Sequence, residues 1–134
     1  SAYKMWVDNK ITGVGLNNYE NLCEKNIKYH QTIKKNYGNC SSHPHNYYLQ
    51  WLTESGIIGF FLYIAFVVFI FKKLLFNINF TEVKIGFISL IIIFWPIMST
   101  GSLLKNWNGI QTFFIIGLSI LLSKKILHNR DDNS

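Results

Sequence analysis

Of 134 residues, 49% are hydrophobic and only 15% are charged, against about 25% charged in an ordinary soluble domain. The apolar residues gather in 56–127 behind a mixed polar front of 55 residues, which excludes a freely soluble globular domain. The net charge of +6 therefore reads first as membrane topology, and no nucleic-acid partner is expected.

The chain opens on Ser1 without a signal-peptide pattern. Residues 2–9, AYKMWVDN, read as the end of a helix. The expectation is the C-terminal part of a longer protein, with the remainder of the chain upstream of Ser1 as its partner. ITGVGLNNYE follows at 11–20, where Gly13 and Gly15 permit a tight turn with positive φ. Asn17 is placed to cap a helix, with Glu20 three residues on. The turn has two readings: a plain connection between helices, or a set of N–H groups offered to phosphate. Position 18 is Asn, so no G-x-G-x-x-G is present. Residues 25–39 read as an ordered, exposed loop.

Cys23 and Cys40 both lie in this front segment. On an oxidising face the favoured reading is a disulfide, closing a loop of about 18 residues and stabilising by roughly 3 kcal/mol. Zinc held by Cys40, His43 and His45 with Cys23 is an alternative, and free thiols are another.

The stretch SSHPHNYYLQWLTESGIIG, residues 41–59, carries polar residues straight into an apolar run. Pro44 suits a first helical turn with Ser42 or His43 as cap. On a helix, Asn46, Gln50, Thr53 and Glu54 share one arc, and His45, Leu49, Leu52, Gly56 and Gly59 share the adjacent face. A polar arc at the membrane must line a cavity or pack on protein, because an unpaired carboxylate there is costly. Gly56 and Gly59 permit close helix approach. Tyr47, Tyr48 and Trp51 fit interfacial anchoring. His45 stands at the mouth of the arc and reads evenly as functional group or as packing residue.

The fold class expected is all-α: a polytopic membrane bundle whose three C-terminal transmembrane helices cover about 45–73, 84–104 and 108–127. Residues 1–44, the end of a periplasmic loop with short helices, precede them, and a cytoplasmic tail at 128–134 follows. A span needs about 20 apolar residues, and Pro96 is expected to kink the second. Lys72, Lys73, Lys84, Lys124, Lys125 and Arg130 flank the same side of these spans, which the positive-inside rule places in the cytoplasm. The front segment and the 99–108 loop then face outward. The front lysines, Lys4, Lys10, Lys25, Lys28, Lys34 and Lys35, count against this and are diluted by Asp8, Glu20 and Glu24.

His45-Asn46, nine residues, then Gly56-Ile57-Ile58-Gly59 resembles the signature of the bacterial O-antigen ligase and polymerase family. Trp6 with Gly13 and Gly15, and WPIMSTGSLLKNW at 95–107, are similar to further family segments, so the resemblance covers nearly the whole chain. It implies a multi-pass enzyme of the inner membrane, active on the periplasmic face, in lipopolysaccharide biosynthesis. Its partners would be a glycan donor on undecaprenyl diphosphate and an acceptor, the lipid A–core in ligation or another glycan in polymerisation. It implies a catalytic role for His45, as base or as the group orienting the acceptor hydroxyl. Asn46, Gln50, Glu54, Gly13, Gly15 and His43 are the expected substrate-binding residues, with no cofactor and no metal. Family arginines that hold the diphosphate have no counterpart here, since the only arginine is Arg130; they are expected upstream. The alternative in a different class is a small-anion transporter with the polar arc as its path.

Overall fold

The computed structural model describes residues 1–30, 32, 33, 36, 37, 40–97 and 101–131, with side chains for 1–30, 40–97, 101–105 and 107–124. The side chains of Lys34, Lys35, Lys125 and Arg130, invoked above for topology, lie outside that set.

The front segment forms two short helices, α1 (Ala2–Asp8) and α2 (Tyr19–Lys25), then a 3-10 turn at Ile27–Tyr29. A two-residue antiparallel ladder, β1 (Thr32–Ile33) with β2 (Asn36–Tyr37), follows. Each helix buries one stripe. Ala2 and Met5 of α1, Tyr19 and Cys23 of α2, and Tyr29 form a small core. Val14, Leu22 and Leu49 pack against it. A disulfide joins Cys23 to Cys40, with Cα atoms 5.8 Å apart, and so ties α2 to the segment leading into the long helix. The bridge uses both sulfurs that the zinc alternative required. The cap of α2 is Asn18 rather than Asn17. Asn17 sits in the left-handed region at φ 57°, which Asn tolerates, and Asn18 donates to the Val14 carbonyl at 2.8 Å.

The long helix α3 runs Tyr47–Leu75. Its cap is Asn46, whose Oδ1 accepts from Leu49 N at 3.0 Å. The expected cap at Ser42 or His43 is displaced because His45 has φ 57°, a conformation no helix continues through, and Pro44 therefore lies outside the helix. Helix α3 counts 29 residues with a break at Gly56, and residues 57–75 beyond it make about 28 Å of helix. Among the described residues it is the helix long and apolar enough to cross a membrane. Only 22% of its most apolar window is buried, and Phe61, Leu62 and Phe69 are exposed, as a lipid-facing surface requires.

Helix α4 spans Thr81–Ile93, 13 residues, about 20 Å against a hydrocarbon core of about 30 Å. The expected helix over 84–104 thus stops at 93. Pro96 lies beyond the helix end and does not kink it, because the residue before a proline is pushed out of the α region. Helix α5 spans Asn106–Asp131, so residues 128–131 of the expected tail are helical. Val83 and Leu90 of α4, Val67, Ile70 and Leu74 of α3, and Ile116 of α5 share one core. Gly86 lets α4 approach α5: a Cβ there would lie 2.8 Å from Ser119 Cβ. In the α3–α4 turn, buried Asn77 donates to buried Ser123 of α5 at 2.7 Å. Lys72, Lys73, Lys84 and Lys124 therefore gather at one end of the bundle, opposite α1 and α2.

Candidate functional site

The two glycine motifs meet. Gly56 has φ 66° and ψ −165°, a region essentially restricted to glycine, and it breaks the hydrogen-bond ladder of α3. The carbonyls of Thr53 and Glu54 are left without their helical donors. They accept instead from Val14 N at 3.0 Å and Gly15 N at 2.9 Å. Ile57 N, freed by the same break, donates to the Lys10 carbonyl at 2.9 Å. The backbones touch so closely that a Cβ on Gly13 would lie 2.5 Å from Gly56 N, and one on Gly56 would lie 2.6 Å from Gly13 N. The ITGVG turn is thus a plug that satisfies the kink. Gly13 N also donates, to the Asn9 carbonyl at 3.0 Å. The phosphate-cradle reading of Gly13 and Gly15 is corrected accordingly: their N–H groups are committed to protein carbonyls.

The polar arc of α3 is buried beneath this plug. The Glu54 side chain accepts at Oε2 from Asn17 N at 3.1 Å and from Gln50 Nε2 at 3.3 Å. Gln50 Nε2 also donates to Ser102 Oγ at 2.7 Å. Thr53 donates to the Leu49 carbonyl at 2.7 Å, with the Ala2 carbonyl 3.3 Å away. Gln50, Thr53, Glu54 and Ser102 are each 3% exposed or less. A buried carboxylate is tolerated when its oxygens are hydrogen-bonded, which is the arrangement here.

The segment after α4 folds back over the start of α3. The end of α4 leaves carbonyls without donors, and α3 supplies them: Tyr48 Oη donates to Phe94 O at 2.7 Å, and Asn46 Nδ2 to Pro96 O at 2.7 Å. Lys105 pairs with Glu20 of α2 at 3.6 Å. The 9–20 turn, Ser102 and Lys105 therefore close over the first turns of α3, around Gln50 and Glu54.

His45 is exposed, in the residue immediately before the cap. It is off the helix, so the expected face shared with Leu49 and Gly56 does not include it. Its ring centroid is 4.2 Å from that of partly buried His43, whose Nδ1 is 3.0 Å from Ser42 Oγ. Of the expected substrate-binding side chains, Asn46 caps α3 and holds the Pro96 carbonyl, while Gln50 and Glu54 are enclosed between α1, α2 and the 101–105 segment. Of the two imidazoles, that of His45 is the one left facing outward. Sequence reasoning missed Ser102 and the Pro96 carbonyl, because no local pattern says which distant group will satisfy an amide.

Residues 1–64 match the family model described as O-antigen ligase. No curated protein and no solved structure matches the chain.

Proposed function

We propose that this chain, whose residues 1–64 are an O-antigen ligase family segment, serves a membrane glycosyltransferase that moves a glycan from undecaprenyl diphosphate to an acceptor hydroxyl. The acceptor oxygen attacks the anomeric carbon and the bond from that carbon to the diphosphate oxygen breaks. His45 takes the hydroxyl proton or orients the hydroxyl, a role worth about 10²–10⁴-fold in rate. The leaving diphosphate needs positive charge, which the resemblance assigns to arginines expected upstream. In ligation the acceptor is a lipid A–core sugar; in polymerisation it is another repeat unit. In this reading α3, α4 and α5 sit in the inner membrane. The lysine end faces the cytoplasm, and residues 1–44 face the periplasm.

The observation that carries this reading is the division of labour in the motif. Asn46, Gln50 and Glu54 are consumed in building the entrance of α3, and His45 is held beside them in a left-handed backbone conformation with its ring exposed. Backbone strain of this kind is concentrated at functional sites. The test is transfer from a purified lipid-linked donor by the full-length protein in detergent. Product that grows on a core oligosaccharide acceptor supports ligation, and product that lengthens the donor glycan supports polymerisation. No transfer to either acceptor by the folded protein would refute the proposal.

A further inference from the structure

A groove of about 300 Å³ lies on the outer side of α1, lined by Tyr3, Lys4, Val7, Asp8, Lys28 and Tyr29, apart from His45 and its neighbours. Helix α1 turns Ala2 and Met5 inward, so Tyr3 and Val7, one turn apart, form an outward apolar ridge, 64% and 40% exposed. The Tyr3 ring is braced by Trp6 with centroids 5.6 Å apart. Across the groove, Asp8 Oδ2 takes both available donors: the Tyr29 hydroxyl at 2.7 Å and Lys28 Nζ at 2.9 Å. Lys28 Nζ is also 4.7 Å from the Tyr29 ring centroid. These contacts hold the carboxylate in one orientation. Its Oδ1, which accepts from none of the described residues, remains as an acceptor, and Lys4 lines the same groove.

We infer that this groove is a saccharide-binding subsite that seats one or two pyranose rings of a substrate glycan, the ring face on Tyr3 and Val7 and the hydroxyl edge on Asp8, Lys4 and Lys28. A pyranose has an apolar C–H face and a rim of hydroxyls, which is the same division the groove presents. Pockets of this size bind by apolar contact, with a few fixed polar groups setting orientation. A carboxylate accepts from sugar hydroxyls and ammonium groups donate to them. The inference rests on the glycosyl-transfer reading and places this groove as a contact remote from the reacting centre, where binding energy holds substrate without entering the chemistry.

The glycan can belong to the donor or to the acceptor, and the test separates them. Saturation-transfer NMR on the full-length protein in detergent, with core oligosaccharide and O-repeat oligosaccharide as separate probes, identifies which one binds, and its loss in Tyr3→Ala assigns the contact to this groove. For that substrate Tyr3→Ala and Asp8→Asn should each raise KM about tenfold with kcat changed less than twofold, and weaken binding in parallel. Tyr3→Phe should restore it. Tyr3 is exposed, so its truncation leaves the fold intact even where Asp8→Asn disturbs the Lys28 and Tyr29 contacts. Unchanged binding and KM for both oligosaccharides in Tyr3→Ala overturn the subsite. Loss of oligosaccharide binding in Tyr3→Ala in a protein that transfers no glycan sustains the subsite and overturns the catalytic reading instead.

Discussion

Gly56→Ala strikes the junction on which the entrance of α3 depends. The alanine would have to adopt φ 66°, ψ −165°, at about 1–3 kcal/mol for a non-glycine residue. Its Cβ would also press on the Ile11 carbonyl and lie 2.6 Å from Gly13 N; these are backbone atoms of a tight turn, with no rotamer to escape into. Relief requires the plug to lift. Lifting it endangers the bonds from Val14 N, Gly15 N and Ile57 N, of 2.9–3.0 Å. One buried partner left unpaired adds about 1–3 kcal/mol. The expected destabilisation is therefore about 2–6 kcal/mol. Thermal unfolding of the purified full-length protein in detergent should show Tm lowered by at least about 5 °C. Gly117→Ala is the control: its Cβ would meet nothing within 4 Å, and in a helix it should be neutral or stabilising by about 0.5–1 kcal/mol. A Gly56→Ala protein with wild-type Tm would refute the interlock.

Cys40→Ser should destabilise by roughly 3 kcal/mol, and mass spectrometry of thiol-blocked, non-reduced wild-type protein should find Cys23 and Cys40 unlabelled and linked. Ser102→Ala leaves the buried Gln50 amide short of its 2.7 Å partner and should cost about 1–3 kcal/mol, read as lowered Tm. Asp8 is held below the usual carboxylate range, first by the Tyr29 hydroxyl and then by Lys28. A depressed folded-state value gives stabilisation that is present above about pH 4 and lost as pH falls through that value; Asp8→Asn should flatten this acid limb of Tm against pH. Impermeant labelling of cysteines introduced in intact cells should reach position 28 from outside and leave positions 73 and 84 unlabelled until the membrane is opened.

The coarse organisation was legible because membrane burial and period are written locally. Residues 56–75 are apolar with Lys72 and Lys73 at the end, and α3 follows that run. The paired cysteines, isolated in one polar segment, stand bridged for the same local reason. Other features depend on contacts far apart in sequence. That Gly13 and Gly56 fit together is invisible in either motif alone, since each reads only as permissive backbone. The cap of α3 was misplaced because Pro44 is a good first-turn residue in isolation, whereas Asn46 is chosen by the turn at His45 and by the Pro96 carbonyl fifty residues away. Pro96 suggests a kink because the apolar run continues across it. Proline stops α4 short of residue 96, and Tyr48 supplies a donor to the carbonyl of its cap residue, Phe94. The polar arc has two readings, pocket or packing, and the positions of Asn17 and Ser102 favour packing for Gln50 and Glu54.

In the proposed reaction the proton goes to His45 and not to His43, whose ring centroid lies 4.2 Å away. The direct measurement is turnover of the lipid-linked donor by full-length His45→Ala and His43→Ala proteins at matched levels in the membrane. His45→Ala should lose about 10²–10⁴-fold in kcat with Tm little changed, because its ring is exposed. His43→Ala should retain most of the activity. Near-normal turnover by His45→Ala would contradict the account and return this histidine to the turn that precedes α3.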